Sequence, residues 1–225
     1  MWCVPALDAV YAERMNDVLG LYEKPYNPLE PVVCMDEKPI VLHQDKRPSS
    51  AAQPGQPAKR DYEYKRRGTA NVFCAVEPLA GRHFTWPTPN RSGSQFAKAL
   101  ERLVAAYPTA RTIHLVMDNL NTHTLKSLRR EFGEQTAKAL WKRLTIHYTP
   151  KHASWLNQAE IEISIFARQC LGSRRIGSLP ELRTESRAWN KAVNRQRLKI
   201  NWTFSRRAAR KKFGYKPTKT KRSQH

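Results

Sequence analysis

Residues 112–118 read TIHLVMD, a short run of Ile113, His114, Leu115, Val116 and Met117 that closes on Asp118. Such a run is too short for a helix and lacks polar alternation, which is how a strand buried on both faces reads. The same form occurs upstream as VVCMD at 32–36, bounded by Pro31, and a third core strand, TIHY at 145–148, is stopped by Pro150. Helical patterning fills 125–144 between the last two. Before Asp118, the stretch from Ser94 to Tyr107 puts Phe96, Leu100, Leu103 and Val104 on one helical face and ends at Pro108. TANVFCAVE at 69–77 and GRHFTW at 81–86, separated by Pro78, Leu79 and Ala80, predict an antiparallel hairpin.

At the front, residues 7–23 space Val10, Met15, Val18, Leu19 and Tyr22 as an amphipathic helix, ended by Pro25, Asn27 and Pro28. Residues 45–61, with three prolines, Gly55 and two serines, read as a mobile loop. A last helix opens near Ser154 or Asn157 and runs to Leu171. The order is strand, hairpin, helix, strand, helix, strand, helix. It predicts an α/β fold, a mixed five-stranded sheet flanked by helices on both faces. Three antiparallel strands followed by two reached through helices is the ribonuclease-H-like order.

The chain has 225 residues, 40 Lys or Arg against 19 Asp or Glu, and a net charge of +21. Its apolar fraction of 40% and six Trp exclude a wholly disordered chain. No run approaches the roughly 18 apolar residues of a membrane span. The first eleven residues lack a basic start before an apolar stretch and include Asp8, which argues against export. Cys3, Cys34, Cys74 and Cys170 form no C-x-x-C pair, so they read as buried thiols and not as a zinc site. The charge is concentrated: Arg168 to His225 holds eighteen Lys or Arg against Glu181 and Glu185, which is sixteen of the twenty-one net charges. Clustered cations of this density point to a polyanion, with nucleic acid first, because phosphate neutralisation releases counterions. Trp189, Trp202, Phe204, Phe213 and Tyr215 indicate that part of this segment folds as a basic helical extension. Lys211 to His225 reads as a flexible tail.

Asp36 and Asp118 each stand at the end of an apolar strand, and Glu160 lies in the first turns of the helix after the third strand. A lone strand-end Asp is commonly a turn or cap residue. Three carboxylates converging from two strand ends and a helix would instead form an oxygen-rich cup suited to Mg²⁺, with Mn²⁺ as a substitute. Ions held so can activate a water or 3′-hydroxyl and steady the leaving oxygen of a phosphodiester.

The segments MDEKP (35–39), LVMDNLNTHT (115–124) and YTPKHASWLNQAEIEIS (148–164) resemble the catalytic motifs of DDE transposases, most closely those of the bacterial insertion-sequence 630 branch of the mariner superfamily. The likeness extends over nearly the whole chain, through RQCLGSRRI to NWTF. It implies Asp36, Asp118 and Glu160 as the first, second and third catalytic and metal-holding acids. It also implies a ribonuclease-H-like fold, Mg²⁺ dependence, and cleavage and transfer of DNA strands at transposon ends into target DNA. A homodimer in the bacterial cytoplasm, near the nucleoid, belongs to the same implication. The family often has an aromatic residue where Glu162 stands.

Glu37 would point to the face opposite Asp36, as a surface residue or a support for the site. Glu162, about 200° around the helix from Glu160, cannot share its face. Asn119, His123, His152 and Asn157 could orient a phosphate or bound water, or serve as caps and loop hydrogen bonds. Lys38, Lys151 and Arg168 could meet the DNA backbone, or simply be solvated. The expected division is a helical lead-in at 1–30, a catalytic domain at 31–172, and a basic extension and tail at 173–225. Only about 30 residues precede the first strand, too few for the helix-turn-helix modules of the family, so a truncated copy is expected. Two other readings stay open: another ribonuclease-H-like nuclease, such as a resolvase or hybrid nuclease, and an inactive basic protein that coats nucleic acid.

Overall fold

The computed structural model describes residues 8–59 and 61–215. Helix α1 (Ala9–Tyr22) is capped by Asp8, whose carboxylate accepts from the Tyr11 N–H at 2.6 Å. Three long strands follow: β1 (Val32–Asp45), β2 (Tyr64–Glu77) and β3 (Arg82–Thr88). Then come α2 (Gly93–Ala105), β4 (Ile113–Met117), α3 (Leu125–Lys142) and β5 (Leu144–Tyr148). Helices α4 (Ala159–Phe166), α5 (Leu179–Gln196) and α6 (Arg206–Phe213) complete the described chain.

The sheet order is β3-β2-β1-β4-β5. Strands β1, β2 and β3 are antiparallel neighbours, while β4 and β5 run parallel to β1. This is the mixed five-stranded, ribonuclease-H-like sheet expected from the order of elements. One face packs Val33, Met35 and Phe73 against Phe96, Leu100 and Leu103 of α2 and Leu128 of α3. On the other face, Cys34, Val76 and Val116 lie beneath α1, while Ile40, Val72 and Cys74 lie beneath α4 and α5. Burying each large side chain here contributes about 2 kcal/mol.

Several elements differ from the sequence reading. Strand β1 does not end at Asp36 but runs on to Asp45, paired with β2 back to Tyr64. Beyond Cys34 its β4 partner is gone, so one side of β1 becomes an edge where Pro39 is tolerated. The segment after β1, 46–59, is a loop closed by bridges between Ser50 and Lys59 and between Gln53 and Gln56. Helix α3 is interrupted at Gly133, whose φ of 78° only glycine adopts freely. The single helix expected up to Leu171 is divided into a 3₁₀ turn at Ser154–Leu156, α4, and a π turn at Ala167–Leu171.

The basic extension is helical as α5 and α6. Within Lys211 to Tyr215, read as tail, two aromatics are packed: Phe213 lies against Trp155, and the Tyr215 hydroxyl donates to Asn16 of α1 at 2.9 Å. The rest of the expected tail, 216–225, lies outside the described residues, as does Cys3. Cys34, Cys74 and Cys170 are buried free thiols.

Candidate active site

Strands β1 and β4 pair in parallel as Val32 with His114, Val33 with Leu115 and Cys34 with Val116. The pairing stops at Cys34, so Asp36 and Asp118 each lie two residues past its last pair, on neighbouring segments of the sheet. Asp36 shares its face with Cys34, the side covered by α1 and α4. The start of α4 is tied to the same place: the Asn157 side-chain amide donates to the Met35 carbonyl at 2.9 Å, and its oxygen accepts from the Ala159 N–H at 3.1 Å. Glu160, half-buried, opens the first turn of α4.

The electrostatics record this convergence. Burial pushes the Asp36 carboxyl from an ordinary 3.8 up to about 7; a hydrogen bond from the Glu37 N–H opposes this, and the charges of Asp118, Glu37 and Glu160 add to it. Asp36 thus lies in the field of both other candidate acids. Among the described residues, however, no three His, Cys, Asp or Glu side chains stand close enough to share one ion. Like charges repel, and Asp118 Oδ1 is held instead by His123 Nδ1 at 2.6 Å.

His123 is itself buried, stacked on Phe96 with ring centroids 4.5 Å apart, and its Nε2 stands 3.3 Å from Glu37 Oε2. Burial alone would lower its pKa, but the bonds and charges of Asp118 and Glu37 override this and raise it from 6.5 to about 9. Glu37 does lie on the face opposite Asp36, yet it is not a surface residue. Its side chain is 4% exposed, because α2 and the loop carrying His123 cover that face. A Glu37–His123–Asp118 chain therefore reaches the site from behind the sheet.

The donor set is chemically suited to a hard divalent cation: carboxylate oxygens only, with a raised Asp36 pKa that a cation would relieve. A model of the DDE superfamily endonuclease matches residues 31–183. The chain belongs to the DDE superfamily endonucleases. The match takes in every strand, α2 to α4 and all three candidate acids.

Among solved structures, the Mos1 transposase paired-end complex with left transposon end matches this DDE endonuclease with a TM-score of 0.56 at 18% identity, covering 88% of this chain and 61% of that one. The Mos1 strand transfer complex gives 0.56 at 18%, with 88% and 60% covered. The Mos1 mariner paired-end complex with Mn gives 0.55 at 18%, again with 88% and 61%. At such identities the likeness is one of fold, and the chain spans about three-fifths of the length of those structures. No curated protein sequence matches it.

The other residues singled out in this DDE endonuclease fall into three groups. Lys38 is half-buried on the Asp36 face of β1, and exposed Asn119 follows Asp118. Lys151 and His152 occupy an exposed turn before the 3₁₀ segment, His152 with a left-handed φ of 62°, and Arg168 is exposed in the π turn. Asn157 is buried and spends both side-chain ends on backbone groups, so its role is to brace α4. Sequence reasoning missed His83 altogether. It is buried on β3 with Nδ1 2.7 Å from Glu162 Oε2, and Glu162 is fully buried on α4.

Proposed function

We propose that this chain is the catalytic domain of a DNA transposase of the bacterial insertion-sequence 630 branch of the mariner superfamily. It cleaves strands at transposon ends and joins them to target DNA. The reading is supported above all by the parallel pairing of β1 with β4, just before Asp36 and Asp118, beside the anchored start of α4. Asp36, Asp118 and Glu160 would hold Mg²⁺, or Mn²⁺ in its place; when bound, the cation supplies Lewis-acid activation of the attacking water or 3′-hydroxyl. Around it the chain's own groups have separate tasks. His123 fixes the Asp118 carboxylate, Glu37 keeps His123 oriented and charged, and the Phe96 ring screens one face of that imidazole from water. Lys38, Lys151 and Arg168 take backbone phosphates, and Asn119 and His152 a phosphate or ordered water.

In this reading 31–172 is the catalytic domain, 1–30 its helical lead-in, and 173–225 a basic DNA-contacting extension. The active form is a homodimer acting in the bacterial cytoplasm. No helix among the described residues is long and apolar enough to cross a membrane. The test is nicking of supercoiled DNA with Mg²⁺ by the native chain beside Asp118→Ala. Loss of nicking in the variant is expected, and equal activity would refute the assignment. Preference for branched DNA or RNA–DNA hybrid over duplex would make it another nuclease of the same fold. Binding indifferent to Mg²⁺ and to loss of Asp36 would leave only a basic coat protein.

A further inference from the structure

Two directional polar ties hold α4, one on each side of Glu160 in sequence. Asn157 fixes its start to the Met35 carbonyl, and Glu162, in its next turn, bonds His83 of β3. The remaining grip on α4 is apolar: Ile163 and Phe166 lie among Ile40, Val72 and Cys74. Apolar contact presses a helix onto a sheet without specifying its rotation, because the attraction has no direction. A hydrogen bond weakens steeply as its angle departs from linear, so it does specify rotation. Glu160 and Glu162 lie about 200° apart around the axis. Holding Glu162 against β3 therefore aims Glu160 away from it, toward the acid-bearing side.

The pair is an expensive choice for stability alone. Both side chains are at most 1% exposed, and the far atoms, Glu162 Oε1 and His83 Nε2, have no hydrogen-bond partner among the described residues. Thr85 Oγ1, Ser186 Oγ and Asn190 Oδ1, between β3 and α5, are also without one. Packed apolar side chains commonly replace such a buried pair with no loss of stability. Direction is what apolar side chains cannot supply. Trp189 of α5 closes the pocket, with its ring edge-on to His83 at 6.2 Å.

We propose that His83 and Glu162 are positioning residues: their buried bond sets the rotation of α4 and so the placement of Glu160, a role that rests on the acidic-site reading above. The test is Mn²⁺ titration of the full chain by calorimetry, beside its thermal unfolding. Glu162→Gln retains the acceptor for the His83 N–H and binds Mn²⁺ within about twofold of native. The double variant Glu162→Leu with His83→Phe packs the pocket, unfolds at or above the native temperature, and binds Mn²⁺ about tenfold more weakly. If that protein does not fold, Glu162→Gln with His83→Phe, which buries no charge, shows the same weakening. Native affinity in the bond-free variant, while Glu160→Gln weakens binding, overturns the positioning role alone. Native affinity in Glu160→Gln removes the acidic-site reading, and this role with it.

Discussion

Replacing Asp36 by Asn should stabilise the metal-free protein, and the effect should depend on pH in a fixed sense. In the folded chain the Asp36 carboxyl keeps its proton up to about pH 7, whereas the ordinary carboxyl gives it up near 3.8. Between those values the folded state holds more protons than the unfolded one. Native stability is therefore fully present below about pH 4, falls as the pH rises, and levels off above 7. At about 1.4 kcal/mol per tenfold, the interval corresponds to about 4 kcal/mol. That is an upper figure, since water still reaches part of the group, and a gain of about 2 kcal/mol is a fair expectation. Asparagine cannot ionise and escapes the loss.

The assay is urea unfolding in EDTA at pH 4.5 and pH 8 for the native chain and Asp36→Asn. The variant should exceed the native chain by no more than about 1 kcal/mol at the lower pH and by about 2 to 4 kcal/mol at the higher. Added Mg²⁺ should raise the native curve, since a ligand at 100 times its Kd contributes about 2.7 kcal/mol. The variant should respond less. Coincident curves at pH 8 in EDTA would refute the claim that burial and the charges of Asp118 and Glu160 bear on Asp36.

His123 loses stability with rising pH in the same sense as Asp36, but here the charged form is the one the fold favours. Its pKa is raised to about 9 by its two carboxylate partners, so the cost of His123→Ala, read by metal-free unfolding, should be about 3 kcal/mol near pH 6 and fade as the pH passes 9. Gly81 turns the β2–β3 hairpin at φ 61°, and an added Cβ would stand 2.5 Å from the Arg197 carbonyl group. Gly81→Ala should therefore cost about 2 kcal/mol or more in thermal unfolding. On α6, Arg206 is engaged by Glu23 and Lys212 lies over the Phe204 and Phe213 rings, while Arg207 and Lys211 are exposed one turn apart. Changing both to Glu should weaken duplex DNA binding and flatten the slope of log affinity against log salt by about 2, in a titration over salt.

What the sequence disclosed and what it withheld divide along a physical line. Asp36 and Asp118 could be found because a doubly buried strand must be apolar as long as it is paired on both sides, so an acid just past the last β1–β4 pair stands out. The length of β1 could not, because Glu37, Lys38 and Pro39 read as loop until β2 is known to lie alongside. Alternation placed Glu37 on the face opposite Asp36 correctly. What covers that face is decided by α2 and the loop at His123, far along the chain. Glu162 did carry a local signal. Ala159, Ile163 and Phe166 make the buried stripe of α4, and Glu162 falls within it, which requires a buried partner. That the partner is His83 follows only from the pairing of β3 with β2.

The charges around the site explain why support comes from behind it. Asp118, Glu37 and Glu160 all add to the raised pKa of Asp36, and one buried histidine, His123, pairs with both Glu37 and Asp118. Lys38, half-buried two residues along the same face of β1, is the basic side chain on the Asp36 side, and the His123 pairing stands on the other. A cation reached through the sheet, bonded to Asp118 from the α2 side, steadies one acid and leaves the front of the cup to oxygen. The densest basic element is α6, with five Lys or Arg and no acid, whereas Lys38 is the basic residue on the Asp36 face of β1, so the field around the acids stays negative enough to favour a divalent ion.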